Sequence, residues 1–213
     1  MEFLPEEIDQ YCQDFTENES ELLLELNRFT HNNVLQPRML AGHLQGRVLS
    51  MLSHMISPKI VVEIGTYTGY SALCWAEGLS KDGAVHTIEI NDELENKILS
   101  FVDRSPYKSQ IKLHIGRAAD ILNDIHEEID VVYIDADKEN YAHYYNQVID
   151  RVKPGGYIIA DNVLWSGKVT GKPEEMDVET RALYDYSEMI QSDERVQNVL
   201  FPIRDGLMIA RKK

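Results

Sequence analysis

The sequence is short of the features that mark several large classes of protein. It contains two cysteines, Cys12 and Cys74, far apart in the chain, so we expect no disulfide framework and a reducing compartment, the cytoplasm. No apolar run approaches the roughly 20 residues that a membrane-spanning helix needs. No Lys or Arg precedes Arg28, which argues against a signal peptide. We therefore predict a cytoplasmic protein without a membrane segment.

Basic residues are also scarce, with 21 Lys and Arg against 36 Asp and Glu and a formal net charge of −15. A surface of this sign does not attract polyanions, which counts against nucleic acid as a partner. The sequence also lacks any Gly/Ser tract, Pro-rich run, repeat or low-complexity segment that could act as a linker. One domain over 1–213 is therefore expected, with N-terminal helices and a lid in 1–56 and an α/β core in 57–213.

Short apolar runs alternate with helical patterns along the chain, which is typical of an α/β fold with buried strands. The predicted strands cover 59–65, 84–89, 111–115, 129–134 and 156–162. The predicted helices cover 5–30, with a second helix from about Ser20, then 39–56, 72–79, 91–104, 118–126, 140–152 and 174–191. The chain ends differently, because Asp205-Gly206 is a strong turn signal between two further strands, 196–203 and 207–211. That pattern predicts a terminal antiparallel hairpin.

Polar side chains follow two of the predicted strands at the point where each strand ends. Asp135 and Lys138 follow one strand, and Asp161 and Asn162 end another. The carboxyl ends of parallel strands meet at one edge of the sheet, where α/β folds bind ligands. Two carboxylates and an amide oxygen at that edge suit Mg²⁺, Mn²⁺ or Ca²⁺ better than zinc. The alternative is that these residues cap the segments that follow; the two strand ends together, with Lys138 three residues after Asp135, favour the cation site.

The first predicted strand runs into a glycine turn, Gly65 to Gly69, and then into a helix. This unit is typical of nucleotide-binding folds, because glycine lets the backbone approach a ligand and the helix N-terminus offers free N–H groups. The turn lacks the G-x-G-x-x-G pattern and the chain lacks Gly-Lys-Ser/Thr, which counts against dinucleotide and P-loop sites. Glu89, at the end of the second strand, can accept both ribose hydroxyls of a nucleoside, or it is an ordinary solvated acid.

Two apolar segments beside this edge allow two interpretations each. Residues 39–42 form either a lid over a ligand or a hydrophobic staple at the start of a helix. Trp165 is either a wall for a flat substrate or a hydrophobic plug. The apolar stripes of the N-terminal helices need a cover, which is the sheet or a second copy of the chain. We expect a homodimer, and a monomer remains the alternative.

The order of helices, five βα units and a terminal hairpin, with the motifs at 63–71, Glu89, 135–138 and 161–162, closely resembles the cation-dependent class I O-methyltransferases. These include the caffeoyl-CoA and catechol O-methyltransferases and many bacterial relatives, and Asp137 places the chain nearer the bacterial branch. The resemblance implies a Rossmann-like fold with a seven-stranded, mostly parallel sheet, a C-terminal antiparallel hairpin and helices on both faces. It also implies S-adenosylmethionine (SAM) and a divalent cation, usually Mg²⁺, for methylation of one hydroxyl of an aromatic vicinal diol.

The resemblance also implies roles for individual residues. Asp135, Asp161 and Asn162 match the metal ligands, and Lys138 matches the catalytic base. The ammonium form of a lysine is disfavoured beside a dication, which lets Lys138 accept the hydroxyl proton. The implied SAM-binding residues are Met39, Ala41, Glu63, Gly65, Tyr67, Ser71, Glu89, Gly116, Ala118 and Asp135.

Two other functions are compatible with the sequence. Some bacterial relatives resemble tRNA 5-hydroxyuridine methyltransferases, whose substrate also offers a hydroxyl with a metal-chelating neighbour. The net charge counts against tRNA, although a local basic rim could bind it. The residues that could form such a rim are Arg28, Arg38, Arg47, Lys168 and Lys172. The other alternative is a non-catalytic SAM-binding protein, which would have no use for the metal set and Lys138.

Overall fold

The computed structural model describes residues 5–213, which form the α/β architecture that the apolar runs predict. The strands are β1 (Ile60–Ile64), β2 (Ala84–Glu89), β3 (Ile111–Ile115), β4 (Ile129–Ile134), β5 (Val152–Ala160), β6 (Val196–Phe201) and β7 (Leu207–Lys212). The helices are α1 (Glu6–Asp14), α2 (Glu21–Asn33), α3 (Gly42–Ile56), α4 (Tyr70–Ala76), α5 (Glu95–Val102), α6 (Ala118–Ile121), α7 (Tyr141–Val148) and α8 (Val178–Ser192). Residues 1–4, which belong to the predicted domain and to its N-terminal segment, lie outside the described residues.

The strands form one seven-stranded sheet in the order β3-β2-β1-β4-β5-β7-β6. β1 to β5 are parallel, and β7 is antiparallel to both β5 and β6. The strand order reverses between β1 and β4, and the loops after these two strands diverge to opposite faces of the sheet. A crevice forms at such a reversal, which is where open α/β sheets bind ligands. The predicted fold class and the terminal hairpin are confirmed.

The core has two layers because helices cover both faces of the sheet. Val62 and Ile134 point into a cluster with α7 and α8, whereas Val61 and Tyr133 point into a cluster with α2, α3 and α4. Alternate residues of each strand therefore enter opposite layers, and every residue of β1 and β4 is buried. Burial on both faces explains why these strands read as continuous apolar runs rather than as alternating patterns.

The N-terminal region agrees with the prediction of a second helix from about Ser20. It contains two helices, and the second begins where Ser20 Oγ accepts the N–H of Leu23 at 3.3 Å, a side-chain N-cap. α2 packs Leu26 into the core, whereas α1 buries none of its residues. The predicted helix over 39–56 begins later, at Gly42, because residues 37–39 form a separate 3₁₀ turn.

Cys12 and Cys74 are both free thiols, and Cys74 is fully buried. No helix within residues 5–213 is long and apolar enough to cross a membrane.

Candidate active site

A cavity of about 640 Å³ opens at the carboxyl edge of the sheet, above the reversal between β1 and β4. Five segments and Glu179 of α8 line it. The segments are the turn at 65–71, the segment at 36–41, the loop at 135–138, the loop at 161–168 and the hairpin turn at 204–205. Three of these segments follow parallel strands, so the fold brings strand-end side chains together as the sequence predicts.

Lys138 is the centre of the polar floor of this cavity. Its Nζ donates to Asp135 Oδ1 at 3.1 Å and to Asn162 Oδ1 at 2.8 Å, so both oxygens point at one cationic atom. It also donates to the hydroxyl of Tyr141 at 2.7 Å, and that hydroxyl donates to the carbonyl of Asp161 at 3.0 Å. Tyr141 is a site residue that the sequence analysis does not single out. Its position three residues after Lys138, at the start of a predicted helix, was the available signal.

Asp161 lies deeper, with 2% of its surface exposed. Its Oδ2 accepts from Gln45 Nε2 at 2.5 Å and from the Tyr133 hydroxyl at 3.1 Å, and its Oδ1 accepts the N–H of Asn162 at 2.7 Å. Burial is the main reason that the pKa of Asp161 is raised to about 6, and the negative charge of Asp135 contributes in the same direction. Two carboxylates that repel each other in a buried site favour a cation between them.

The donor set fits a hard divalent cation. It offers carboxylate and amide oxygens without a thiol or an imidazole, and two of those oxygens already converge on the ammonium of Lys138. No group of three or more His, Cys, Asp or Glu side chains in residues 5–213 is arranged for a metal ion. The oxygens that could hold a cation here belong to Asp135, Asp161 and Asn162.

The turn after β1 is shaped by backbone contacts. Gly65 has a φ of +102°, and a Cβ there would overlap the backbone carbonyl of Asp135, so glycine is required. Tyr67 follows with a left-handed φ of 52°, and its N–H donates to Glu89 Oε2 at 2.7 Å. The loops after β1, β2 and β4 are thus held against one another at the floor of the cavity.

Glu63 lies beneath this turn and is fully buried. Its Oε2 accepts from Thr87 Oγ1 at 2.5 Å, whereas its Oε1 has no hydrogen-bond partner among the described residues. Burial is the main reason that the pKa of Glu63 is raised to about 8. A buried carboxylate oxygen without a partner suits a ligand that brings a cationic or N–H group, as the amino acid end of SAM does.

Six of the predicted SAM-binding residues line the cavity: Met39, Ala41, Gly65, Tyr67, Ser71 and Asp135. Glu63, Glu89, Gly116 and Ala118 are not among the lining residues. Gly116 N–H donates to the Glu89 carbonyl at 2.8 Å, which places the end of β3 beside the end of β2. The binding roles of all ten residues stay predictions.

The segment at 36–41 lines the cavity, and its Leu40 and Ala41 are also buried in the cluster that contains Leu49 of α3. The Tyr67 hydroxyl donates to the carbonyls of Leu35 and Gln36 at 2.9 and 3.3 Å. Arg204, in the hairpin turn between β6 and β7, donates from Nη1 to the carbonyls of Leu40 and Ala41. Contacts from two different loops therefore hold this segment, which we call the lid, in place.

Trp165 forms one wall of the cavity. Its ring centroid lies 5.7 Å from Lys138 Nζ and 6.0 Å from Lys168 Nζ, and the ring also packs against the core. Trp165 has a left-handed φ of 46°, and Ser166 and Gly167 continue in that region. Trp165 thus lines the cavity and is also partly buried, and its role as a wall for a flat substrate stays a prediction.

A family model described as O-methyltransferase matches residues 13–213. The chain belongs to the O-methyltransferase family. The caffeoyl-CoA O-methyltransferase of Stellaria longipes is 31% identical over 219 residues, which cover 97% of this chain and 90% of that protein. Caffeoyl-CoA O-methyltransferase 1 of Arabidopsis thaliana is 33% identical over 179 residues, which cover 79% of this chain and 69% of that protein.

Solved structures agree with this family. The SAH-bound methyltransferase PaMTH1 of Podospora anserina superposes with a TM-score of 0.90 at 26% identity, covering 100% of this chain and 99% of that one. The O-methyltransferase from Bacillus cereus in complex with SAH superposes with a TM-score of 0.89 at 28% identity, covering 97% of each chain. The predicted family and the predicted enzyme class, a SAM-dependent O-methyltransferase, are confirmed.

Proposed function

We propose that this enzyme transfers the methyl group of SAM to one hydroxyl of a small catechol-type molecule, with a divalent cation held by Asp135, Asp161 and Asn162. The observation that carries the proposal is the convergence of Asp135 Oδ1 and Asn162 Oδ1 on Lys138 Nζ, within 3.1 Å, in the floor of the cavity. A scaffold would have no use for this arrangement. The names of the two plant relatives, both caffeoyl-CoA O-methyltransferases, support an aromatic diol as the acceptor.

The turn after β1 would hold SAM. Gly65, Tyr67 and Ser71 line the cavity there, and the partnerless Glu63 Oε1 beneath them is suited to the amino group of the cofactor. Glu89 lies at the end of β2, where the ribose hydroxyls of a nucleoside bind in related folds. Its carboxylate already accepts the N–H groups of Tyr67 and Asn91 at 2.7 and 2.9 Å, so its orientation is set before the cofactor binds.

Lys138 would take the proton from the reacting hydroxyl. When bound, the cation lowers the pKa of a hydroxyl next to it, and SAM carries the methyl group that is transferred. Lys138 Nζ stands beside two of the proposed ligand oxygens, so a hydroxyl that approaches the cation also approaches Nζ. Holding a diol in one orientation supplies a large share of the roughly 7–11 kcal/mol that positioning can contribute to catalysis.

A tRNA acceptor is less well supported. Three of the five residues of the possible basic rim are paired with acids: Arg47 Nη1 with Glu77 at 2.9 Å, Lys168 with Asp177 at 3.1 Å and Lys172 with Glu175 at 3.3 Å. These pairs lower the positive potential that would attract a polyanion, on a chain whose net charge is already −15.

We also infer that the enzyme is a homodimer. α1 buries none of its residues; Ile8 and Tyr11 on this helix are 49% and 62% exposed, and Phe15 at its C-cap is 76% exposed. An apolar helix face of this kind is typical of a surface that a second copy covers. Size-exclusion chromatography with light scattering should give the mass of two chains, and Phe15→Glu should shift it towards one.

Methyl transfer from labelled SAM tests the proposed reaction. We expect transfer to caffeic acid with Mg²⁺, loss of activity in EDTA and recovery on adding excess Mg²⁺. p-Coumaric acid, which has a single ring hydroxyl, is the matched control and should not be methylated, because it cannot chelate the cation. Activity on caffeic acid that persists in EDTA would refute the cation, and activity only on undermethylated tRNA would refute the catechol acceptor.

A further inference from the structure

Gln45 is a buried polar residue of α3 that reaches from the far side of the cavity floor to Asp161. It is 1% exposed, and its Nε2 donates to Asp161 Oδ2 at 2.5 Å and to the Tyr133 hydroxyl at 3.0 Å. The Tyr133 hydroxyl in turn donates to the same Asp161 oxygen at 3.1 Å. Asp161 Oδ2 is thus fixed by two donors that also bind each other.

Arg204 determines which way the Gln45 amide faces. Its Nη1 lies 3.2 Å from Gln45 Oε1, and a guanidinium can only donate. The oxygen of the amide must therefore face Arg204, and the NH₂ group must face Asp161. The Asp161 carboxylate favours the same orientation, so the loss of Arg204 would remove one of the two contacts that hold the amide at its ends.

We propose that Gln45 is a positioning residue for the cation ligand Asp161, and that Arg204 acts on Asp161 through Gln45. The inference rests on the proposed cation site. With Oδ2 held by Gln45 and Tyr133, Oδ1 accepts only the backbone N–H of Asn162 among the described residues and keeps a lone pair for a cation. Residues that hydrogen-bond to a metal ligand in this way orient the ligand and change the affinity of the site for the metal.

The same arginine connects the lid to the cation site. Arg204 Nη1 donates to the carbonyls of Leu40 and Ala41 as well as to Gln45. The lid, the hairpin turn and α3 therefore share one donor group. If the lid moved away from the hairpin turn, the Arg204 guanidinium, which contacts Gln45, would lose its hydrogen bonds to the Leu40 and Ala41 carbonyls.

Binding of Mn²⁺ to the protein, measured by the electron paramagnetic resonance signal of free Mn²⁺, tests the proposal without an activity assay. Gln45→Met keeps the length of the side chain and removes its hydrogen bonds. We expect it to raise the Kd for Mn²⁺ by about 10–100-fold, as loss of such partners typically does. Gln147→Met is the matched control, because Gln147 is a half-buried glutamine of α7 whose bonds are to Ala119 and Asn123. It should leave the Kd unchanged.

Arg204→Met is the second variant, and Arg211→Met, on β7 of the same hairpin, is its control. Arg204→Met should also raise the Kd for Mn²⁺, and the double variant should bind no more weakly than Gln45→Met alone, since both changes act on one path. A Gln45→Met protein that is folded and binds Mn²⁺ like the wild type would overturn this inference and leave the cation site intact. If Gln45→Met does not fold, an unchanged Kd in Arg204→Met overturns it instead. Wild-type protein that binds no Mn²⁺ would overturn both proposals.

Discussion

Replacing Lys138 by methionine separates the proposed base from the proposed cation site. Methionine keeps the length of the side chain but removes the ammonium, which contacts Asp135, Asn162 and Tyr141 at 3.1, 2.8 and 2.7 Å. Lys138 is only 8% exposed, so water cannot readily replace it as a donor or as a base. The variant therefore loses proton transfer at one position while every proposed metal ligand stays in the chain.

The expected loss of rate follows from the role of Lys138 as a base in the transition state. Removing a positioned general base typically costs about 10²–10⁴ in rate, or roughly 2.7–5.5 kcal/mol of transition-state stabilisation. We expect kcat and kcat/KM to fall together and the KM for SAM to stay constant, since the interaction matters in the transition state. The Kd for Mn²⁺ should stay the same or decrease, because a like charge beside the ligands is gone. Folding should weaken by about 1–3 kcal/mol, because Asp135 loses its partner.

The assay is methyl transfer to caffeic acid from labelled SAM between pH 6 and pH 10, with Mn²⁺ affinity and denaturant unfolding measured on the same samples. Lys108→Met is the matched control, because this exposed lysine pairs with Asp103 at 3.1 Å and does not line the cavity. The control should keep its rate within about threefold of the wild type, since exposed ion pairs contribute little. A Lys138→Met enzyme with wild-type kcat across the whole pH range would refute the base.

Three further predictions concern the turn and the lid. Gly65→Ala should lower the free energy of unfolding by at least the roughly 1–3 kcal/mol that a strained backbone costs, because the added Cβ would overlap the Asp135 carbonyl. Denaturant unfolding measures this free energy, and an unchanged value would contradict the prediction. Burial holds the pKa of Glu63 at about 8, above its ordinary value of 4.5, so above pH 4.5 the unfolded chain releases a proton that the folded one keeps. The free energy of unfolding of the ligand-free wild type should therefore fall as pH rises from 5 to 8, by up to about 1.4 kcal/mol per pH unit relative to Glu63→Gln. If the two proteins gave parallel curves of stability against pH, Glu63 would not be the group responsible. Tyr67→Phe removes the hydrogen bonds to the carbonyls of Leu35 and Gln36, where the lid begins. It should raise the Kd for SAM by up to about tenfold. Equal affinities of the two proteins for SAM in calorimetry would show that SAM binding does not depend on these hydrogen bonds.

The strands were predictable because burial on both faces leaves a direct mark on composition. The predicted strands 84–89, 111–115 and 129–134 coincide with β2, β3 and β4. Helix ends were less predictable, since a turn can satisfy the same local pattern. The predicted helix over 91–104 begins as a 3₁₀ turn after Asn91, whose side chain accepts the N–H of Glu93 at 3.1 Å, and only then becomes α5. A polar cap that bends the first turn resembles the cap of a regular helix in sequence.

Some features of the site could likewise be predicted from local sequence, whereas others depend on contacts between distant segments. Asp135, Lys138, Asp161 and Asn162 stand directly after buried strands, so topology alone brings them to one edge. Gly116 and Ala118, which the family resemblance implies as SAM-binding residues, do not line the cavity, and their binding roles stay predictions. Strand order predicts which loops are neighbours, but not how far a cavity reaches along the edge.

The sequence of α3 indicates that Gln45 needs a hydrogen-bond partner, but not which one. It lies four residues before Leu49, which is fully buried, so it belongs to the same face of the helix. A polar side chain on a buried helix face must find a hydrogen-bond partner. The partner, Asp161, is 116 residues away in sequence, so no spacing rule can name it. The sequence predicts the need for a partner, whereas only the packing of α3 against the carboxyl edge of the sheet identifies which carboxylate meets that need.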